Sequence, residues 1–449
     1  MFATPYIDSA LISLFRFRTR KFMRMEDADG RVPPVPREGG CYLYVHIPFC
    51  EVLCPFCSFH RVQHCHEQAQ RYFVALRAEY FVALRAEIWQ YHLAGVRFEG
   101  AYFGGGTPTT EPDELIATIG LVRRLFDVRE ISVETNPKDL GPPLLERLRA
   151  AGVTRLSVGV QSFDNDLLRE MERHDKYGSG EETAARIRAA AGIFPTFNVD
   201  LIFNQPHQTL ASLERDLDIF LSLGANQISC YPLMTAPAVK RRMEGAMGVP
   251  DRRRLRVLFE SIQRKLLPEF TPSSAWCYTR HGRGTDEYIV ASENYVGVGS
   301  GAFSYLDGTL YATTFSLRAY EQRIREGLTG IVTRHRLGTG DRLRYSLLVR
   351  MFGLGLDREW ARRRHGRKFF WWLWGELRTL ELLGAAKRNA RGWKLTPQGM
   401  YWLMLMMSQF FESVNAYREA MRAHVQEELA AAGQPASRPG PAQVARVFG

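Results

Sequence analysis

Hydrophobic positions follow two alternating patterns from residue 41 onward. Short apolar runs of β-strand length alternate with longer stretches in which apolar residues recur every three or four positions. The runs that predict strands are residues 42–47, 100–103, 131–134, 155–160, 198–203 and 227–231. The stretches that predict helices between them include residues 68–92, 113–126 and 144–151. A repeated strand–helix order predicts a parallel sheet, so we expect an α/β fold built as a full or partial (β/α) barrel.

The pattern changes after residue 334, where helical periodicity dominates. Helices are expected at residues 342–353, 358–365 and 369–383, followed by a short hairpin around residues 387–394. The expected parts are therefore an N-terminal extension (1–40), a barrel (41–330), a smaller, mainly helical C-terminal domain (331–432) and a disordered tail (433–449). One octapeptide, YFVALRAE, occupies residues 72–79 and again 80–87, which adds about two helical turns.

Charge and hydropathy exclude some classes of protein. The formal net charge of +11 favours anionic partners, but the basic clusters at residues 240–242, 252–254 and 362–368 accompany no recognisable nucleic-acid-binding module. We therefore expect no nucleic acid partner, and solvated helix faces explain the clusters equally well. No apolar run reaches the roughly 18 residues that span a bilayer. Arginines rather than a cleavage site follow the apolar stretch 11–17, so a cytoplasmic protein is expected.

Three cysteines lie close together after the first predicted strand. Cys50, Cys54 and Cys57 have the spacing C-x3-C-x2-C, and a total of seven cysteines is an odd number for a disulfide framework. Because thiolates are the usual ligands of iron–sulfur clusters, we expect the three to hold a [4Fe–4S] cluster. Its fourth iron would stay open for S-adenosylmethionine (SAM). The alternatives are reduced thiols or a zinc site, whose fourth ligand would be His46, His60 or His64.

A glycine-rich segment follows the second predicted strand. Residues 103–108 read Phe-Gly-Gly-Gly-Thr-Pro. Because glycine lacks a Cβ, backbone groups here can approach a ligand, and the loop could bind the ammonium group of SAM through its carbonyls. The motif alone is weak evidence for a SAM site, and the neighbouring cysteine motif strengthens that evidence.

Five segments, taken in order, resemble the HemN-like radical SAM enzymes, the family named for oxygen-independent coproporphyrinogen III oxidase. They are HIPFCEVLCPFC, YFGGGTPT, SVETNP, RLSVGVQSF and FNVDLIF, and the resemblance covers roughly residues 41–425. It implies reductive cleavage of SAM to methionine and a 5′-deoxyadenosyl radical, and two bound SAM molecules. The residues it implies at the SAM on the cluster are Tyr44, Gly105, Glu134 and Phe303. Those it implies at a second SAM are Phe56, Gly106, Thr107, Gln161, Arg173, Asp200 and Met234.

The motifs do not decide to which branch of the family the chain is most similar. Proteins resembling the oxidase itself tend to carry Gly-Cys after the third cluster cysteine, whereas this chain has Ser58-Phe59, which puts porphyrinogen decarboxylation in doubt. The same scaffold hosts haem-handling proteins and class C methyltransferases, one group of which methylates menaquinone. We expect methyl transfer to an sp2 carbon of a hydrophobic aromatic acceptor such as menaquinone. Coproporphyrinogen oxidation, with a tetrapyrrole substrate, and a haem chaperone without turnover are the alternatives.

Aromatic residues in the C-terminal part of the chain are relevant to which partners the protein contacts. Phe369, Phe370, Trp371, Trp372 and Trp374 follow the basic run 362–368. Such a sequence is typical of a helix on an anionic membrane, so peripheral contact with the inner membrane surface is one hypothesis. The other hypothesis is a domain core, for these residues and for Tyr401, Trp402, Met404, Met406, Met407, Phe410 and Phe411. A flavodoxin- or ferredoxin-type reductant is expected as the electron donor.

Two further groups are candidates for substrate or proton contacts. Glu287, Tyr288, Tyr295 and Tyr305 lie near Phe303 in the sequence and are candidates to face the substrate. His60, His64 and His66 follow the cysteine loop and are expected to be solvated, with proton transfer or haem ligation as the alternative.

Overall fold

The six predicted strands run parallel in the middle of one large sheet. The computed structural model describes residues 25–36, 40–51, 53–57, 59–63, 70–234, 237–280 and 288–430. Within them the strands are β1 Glu26–Asp27, β2 Tyr42–Ile47, β3 Phe49–Cys50, β4 Val62–Gln63, β5 Gly100–Gly105, β6 Glu130–Thr135, β7 Arg155–Gln161, β8 Thr196–Phe203, β9 Gln227–Pro232, β10 Thr271–Pro272, β11 Cys277–Thr279, β12 Tyr295–Val298, β13 Phe303–Leu306, β14 Thr309–Thr313, β15 Ile331–Arg336, β16 Gly355–Asp357, β17 Ala386–Arg388 and β18 Gly392–Leu395. Strands β2 and β5 to β9 match the predicted ones to within two residues at each end. They pair in chain order and in parallel, as strand–helix repeats require.

Helices connect the parallel strands and make up most of the C-terminal part. They are α1 Gln70–Leu93, α2 Pro112–Leu125, α3 Pro142–Ala151, α4 Asn165–Glu170, α5 His174–Tyr177, α6 Gly180–Ala190, α7 Leu210–Leu221, α8 Pro237–Met247, α9 Leu255–Leu266, α10 Tyr288–Ala291, α11 Leu317–Arg325, α12 Thr339–Phe352, α13 Arg358–His365, α14 Lys368–Trp372, α15 Trp374–Leu382 and α16 Pro397–Ala430. Short 3-10 turns lie at Pro108–Thr110, Pro137–Asp139 and Arg252–Arg254. Local sequence fixes several helix starts: a capping box of Ser179 and Glu182 begins α6, for example.

The sheet continues beyond the predicted strands on both sides. Its order is β1-β15-β14-β13-β12-β2-β5-β6-β7-β8-β9-β11-β10, in which β12 is parallel to β2 and the outer strands are antiparallel. Within the described residues the sheet has two ends, so the α/β prediction is confirmed in its partial-barrel form. Strand β15 lies beyond the expected domain boundary at residue 330, yet it pairs with β14 in this sheet.

The two copies of the repeated octapeptide lie in one helix but have different surroundings. Both are part of α1. In the second copy, Tyr80 and Glu87 are fully buried, and the Tyr80 hydroxyl donates to the carbonyl oxygen of His46 at 2.5 Å. In the first copy, Glu79 is exposed. The last glutamate of the octapeptide is therefore exposed in one copy and buried in the other.

The C-terminal part contains the predicted helices and hairpin. The predicted helix 369–383 is divided at Leu373 into α14 and α15, and the hairpin is β17–β18, which β16 extends to three strands. In the long helix α16, Tyr401, Trp402 and Phe410 are buried, which confirms core packing for this group. By contrast, Trp371 and Trp374 are exposed. No helix among the described residues is both long and apolar enough to cross a membrane. The expected tail 433–449 and residues 1–24 of the expected N-terminal extension lie outside the described residues.

Candidate active site

A cavity of about 310 Å³ lies where the parallel strands end. Its volume falls in the range of sites for small molecules and cofactors, roughly 300–1,000 Å³. All fourteen residues expected at the cluster or at SAM line it: Tyr44, Cys50, Cys54, Phe56, Cys57, Gly105, Gly106, Thr107, Glu134, Gln161, Arg173, Asp200, Met234 and Phe303. Segments more than two hundred and fifty residues apart in sequence therefore meet here, as expected for loops at the C-terminal ends of barrel strands.

The three cysteines of the motif occupy one wall of this cavity. Cys50 ends β3, and Cys54 and Cys57 follow in the loop; all three are free thiols. Arg61 fixes the loop, because its guanidinium donates to the carbonyl oxygens of Cys57 at 2.6 Å and Cys54 at 3.3 Å. Burial raises the pKa of the Cys50 thiol to about 11, and the neighbouring Cys57 thiolate adds to this.

The surroundings of the cysteines fit an iron–sulfur cluster better than zinc. A closed zinc site needs ligands around one ion, and the described residues contain no group of three or more His, Cys, Asp or Glu side chains so arranged. His46 Nδ1 lies 2.9 Å from the Tyr44 hydroxyl and Nε2 3.0 Å from the carbonyl oxygen of His60, so its ring is engaged in the core. In an iron–sulfur cluster each thiolate binds a different iron, which suits three cysteines spread along one loop.

The expectation that His60 is solvated is wrong. His60 is buried, its Nε2 lies 3.3 Å from the Ser300 hydroxyl, and its ring packs on Phe315 at 4.9 Å. The chain returns from the cysteine loop into the core at this point, and the sequence carries no signal of it. His64 and His66 lie outside the described residues.

Each glycine of the Gly-Gly-Gly-Thr-Pro loop lies where a Cβ would clash with a neighbouring group. A Cβ on Gly104 would lie 2.8 Å from the Glu134 carboxyl group, and one on Gly105, whose φ is +111°, would lie 2.5 Å from the His46 ring. A Cβ on Gly106 would lie 2.5 Å from the carbonyl oxygen of Phe49. The Gly106 amide donates to the Ile47 carbonyl at 2.7 Å, so this loop is joined directly to the start of the cysteine loop. The glycines thus allow two site loops to pack against each other.

A polar network connects the strand ends to the cysteines. Asn136, directly after β6, donates to the Thr107 hydroxyl at 2.7 Å, and that hydroxyl lies 3.7 Å from Cys50 Sγ. Arg173 donates to the carbonyl oxygen of Gly159 and to Cys54 Sγ, the latter at 3.4 Å. Because Arg173 is buried beside a cysteine, it can hold an anionic group close to whatever the thiolates bind.

Two carboxylates are held in fixed orientations in the cavity wall. Glu134 accepts from the Tyr102 hydroxyl at 2.8 Å and from the Gly105 amide at 3.1 Å, and burial raises its pKa. Asp200 accepts from Ser157 at 2.9 Å and Asn198 at 2.7 Å. Preoriented carboxylates of this kind can accept hydrogen bonds from hydroxyl or ammonium groups of a ligand.

Gln161 has a strained backbone at the end of β7. Its φ is +78°, and the pairing of β7 with β8 shifts register between Gly159 and Gln161. L-residues rarely adopt this conformation, and such outliers occur preferentially at binding and catalytic sites. Its place in the cavity wall agrees with that tendency.

The rest of the cavity is walled by aromatic side chains. Tyr44 stacks on Tyr288 with ring centroids 5.1 Å apart, and Tyr295 packs against Tyr288 at 4.9 Å. Tyr288 and Tyr295 line the cavity, as expected, whereas Tyr305 does not: it is fully buried and stacks on Tyr345 at 4.0 Å. Glu287 lies outside the described residues. Further rings in this wall come from Tyr102, Tyr231, Trp276, Tyr345, Phe410 and Phe411.

Sequence reasoning missed several polar residues of the site, among them Asn136, Arg61 and Arg418. Asn136 belongs to the segment SVETNP and could have been found as a polar residue at a strand end. Arg61 lies four residues after Cys57, but nothing in the sequence shows that it folds back. Arg418 comes from the long helix α16 and has no sequence signal that connects it to the cysteines.

Comparisons with known proteins agree with this geometry. The family model described as the Radical SAM superfamily matches residues 44–220. A protein of Mycobacterium tuberculosis named heme chaperone HemW is 30% identical over 289 residues, which are 60% of this chain and 70% of that protein. The chain belongs to the HemN-like radical SAM family. An oxygen-independent coproporphyrinogen III oxidase of Cereibacter sphaeroides is 27% identical over 349 residues, covering 71% of this chain and 74% of that protein.

A solved structure shows the same fold. HemN from Escherichia coli, described as a coproporphyrinogen III oxidase and a radical SAM enzyme, superimposes with a TM-score of 0.68 at 23% identity, over 83% of this chain and 90% of that one. The radical SAM family uses a [4Fe–4S] cluster and SAM, as expected from the cysteine motif. The menaquinone methyltransferase branch expected from the sequence finds no support, because the HemN-like relatives named here are a heme chaperone and coproporphyrinogen oxidases.

Proposed function

We propose that this chain is a radical SAM protein that binds a tetrapyrrole, and that it oxidises coproporphyrinogen. The observation that carries the proposal is the division of one cavity into two parts. One wall holds the cysteines with Arg173, Glu134 and Asp200, and the other is a broad aromatic surface formed partly by the C-terminal helix α16. The polar part suits SAM, and flat aromatic side chains suit a large planar or puckered ring system.

The residues present fit the cofactors of the family. Cys50, Cys54 and Cys57 would hold the cluster, which together with SAM supplies a radical for hydrogen abstraction from the substrate. Tyr44, Gly105, Glu134 and Phe303 would contact the SAM at the cluster. A second SAM would contact Phe56, Gly106, Thr107, Gln161, Arg173, Asp200 and Met234. The protein orients these ligands through the hydrogen-bonded carboxylates and excludes water with its aromatic wall.

A haem chaperone without turnover is the second candidate. Two observations favour it: the 30% identity to a heme chaperone of Mycobacterium tuberculosis, and Ser58-Phe59 in place of Gly-Cys after the third cysteine. Against it, His46 and His60, the described histidines next to the cysteine loop, are buried and hydrogen-bonded in the core. The oxidase therefore remains the first candidate.

Contact with an anionic membrane surface is part of the proposal. Trp371, Trp372 and Trp374 are 78%, 44% and 67% exposed, which is unusual for three tryptophans within four residues. Exposed Arg362, Arg363, Arg367 and Lys368 precede them. Tryptophan beside basic residues is the composition expected of a protein surface that contacts lipid headgroups. A flavodoxin- or ferredoxin-type reductant stays a prediction.

One anaerobic experiment distinguishes the candidates. Reconstituted protein is incubated with a reductant, methyl-labelled SAM and either coproporphyrinogen III, haem or menaquinone. Decarboxylated porphyrinogen with methionine and 5′-deoxyadenosine is the expected result. Stoichiometric haem binding without product would favour the chaperone, and label in the quinone would refute the proposal. Cys54→Ser is the matched control, because losing a cluster ligand should abolish turnover but leave tetrapyrrole binding intact.

A further inference from the structure

Arg418 is a buried cation in the aromatic part of the cavity. It lies on α16, is 7% exposed and lines the cavity. Its guanidinium faces the rings of Phe59 at 4.8 Å and Phe303 at 5.5 Å. One of its nitrogens donates to Asn415 Oδ1 at 3.0 Å, and Asn415 lines the same cavity. The C-terminal helix thus brings a positive charge to within the reach of two aromatic side chains at the site.

No carboxylate of the described residues balances the charge of Arg418, and the groups that interact with it electrostatically are Tyr44, Tyr288, Tyr295 and Cys57. Among the described residues no carboxylate lies within ion-pair distance of its guanidinium, and its Nε has no hydrogen-bond partner. A guanidinium withdrawn from water without an anion is strongly unfavourable, and buried charges in proteins are normally paired. The remaining donors of Arg418 therefore suit an anion that enters the cavity.

The chemistry of that anion follows from the guanidinium. Its planar fork matches a carboxylate with two parallel hydrogen bonds, and its flanking rings restrict it to one plane. SAM also carries a carboxylate, but a second buried arginine, Arg173, donates to Cys54 Sγ and provides a cation at the cysteine wall. Arg418 lies on α16 together with Phe410 and Phe411, which line the aromatic part of the cavity.

We propose that Arg418 binds a carboxylate side chain of the tetrapyrrole and so fixes its orientation in the cavity. This assignment rests on the proposed function, under which the ligand carries propionate groups. Asn415 holds the guanidinium in place, and the neighbouring aromatic rings pack against the apolar part of the ligand. The helix α16 then contributes the specificity for an acidic ligand, while the barrel contributes the cofactor side.

The test compares two forms of one porphyrin. Coproporphyrin III and its tetramethyl ester have the same ring, but the ester lacks the carboxylates. Both are titrated into anaerobically reconstituted protein, with quenching of tryptophan fluorescence as the signal, for wild type, Arg418→Met and Arg418→Lys. Arg253→Met is the matched control, since it removes the same charge from a side chain that is 89% exposed. Equilibrium dialysis with SAM is done on the same variants.

Wild type is expected to bind the free acid at least about 10-fold more tightly than the ester, as for a buried charge pair. Arg418→Met should remove that difference in affinity, because it weakens the binding of the free acid alone. Arg418→Lys should retain part of the difference, and Arg253→Met should retain all of it. Equal binding of acid and ester by wild type would overturn the assignment alone, and so would loss of SAM affinity in Arg418→Met with porphyrin affinity unchanged. Binding of neither porphyrin would overturn the proposed function together with the assignment.

Discussion

Glu87→Gln is expected to destabilise the barrel although it changes a single atom of the side chain. Glu87 is fully buried in α1 and accepts three hydrogen bonds. The Gly330 amide donates to Oε1 at 2.7 Å, and the Gly299 amide and Tyr320 hydroxyl donate to Oε2 at 3.0 and 2.6 Å. Glu87 thereby joins α1 to the segments that follow β12 and precede β15.

The size of the destabilisation follows from the hydrogen bonds of the two carboxyl oxygens of Glu87. Each carboxyl oxygen of Glu87 accepts a backbone N–H, so a glutamine amide in either orientation points its NH2 group at one of them. Burial raises the pKa of Glu87, but a protonated carboxyl could still donate to Tyr320 and accept both amides, so the argument holds in either protonation state. One buried unsatisfied N–H costs about 1–3 kcal/mol. At ~2.1 cal/mol/K per residue over the barrel, about 2 kcal/mol lowers the unfolding temperature by about 3 °C.

The repeated octapeptide provides a matched control. Glu79 occupies the same place in the first copy, but it is exposed and its nearest cation, Arg325, is 3.5 Å away. Glu79 also hydrogen-bonds Glu321 and helps to raise its pKa, so Glu79→Gln removes a like-charge contact and should leave the unfolding temperature unchanged or slightly higher at pH 7.5. Differential scanning calorimetry of the three proteins measures this. Equal unfolding temperatures for Glu87→Gln and wild type, or equal losses in both variants, would refute the reasoning.

Three further predictions concern the cofactor loop, the pH dependence and the exposed tryptophans. Gly106→Ala should lower the iron content of reconstituted protein several-fold, because its Cβ would lie 2.5 Å from a backbone oxygen of the cysteine loop; Gly375→Ala, with open space around it, should not. Burial raises the pKa of Asp216 to about 6, so the folded state holds this proton more tightly than the unfolded chain and stability falls as pH rises from about 4 to 6. Asp216→Asn should therefore be more stable than wild type at pH 7.5, by up to ~3 kcal/mol, with no difference near pH 4 in urea unfolding; an unchanged difference across this range would contradict it. Cosedimentation with phosphatidylglycerol vesicles should exceed that with phosphatidylcholine vesicles and should drop about 10-fold in a Trp371→Ser/Trp374→Ser double variant; equal binding to both lipids would contradict membrane contact.

The local patterns of the sequence predicted the central fold and the composition of the site. Buried parallel strands read as continuous apolar runs, because such a sheet is buried on both faces, and all six residues of β2 are indeed buried. The cysteine spacing and the glycine loop lie next to strands whose ends must meet, so their convergence also followed from the order of elements. The outer strands β10 to β15, which are antiparallel except for the pairing of β12 with β2, were not predicted, because strands this short carry no distinctive periodicity.

Other features depend on contacts between distant segments, which no local pattern encodes. The octapeptide copies show this most directly, since Glu79 and Glu87 end identical octapeptides and have opposite burial. Likewise, the aromatic residues after the basic run have helical spacing throughout, yet Phe369 is buried while Trp371 is exposed. The sequence alone determined the order of the six central strands, the cofactor chemistry and fourteen of the residues that line the cavity. Only the tertiary structure decided which wall α16 completes, and hence that the buried charge of Arg418 lies beside Phe303, because that contact joins residues more than a hundred positions apart.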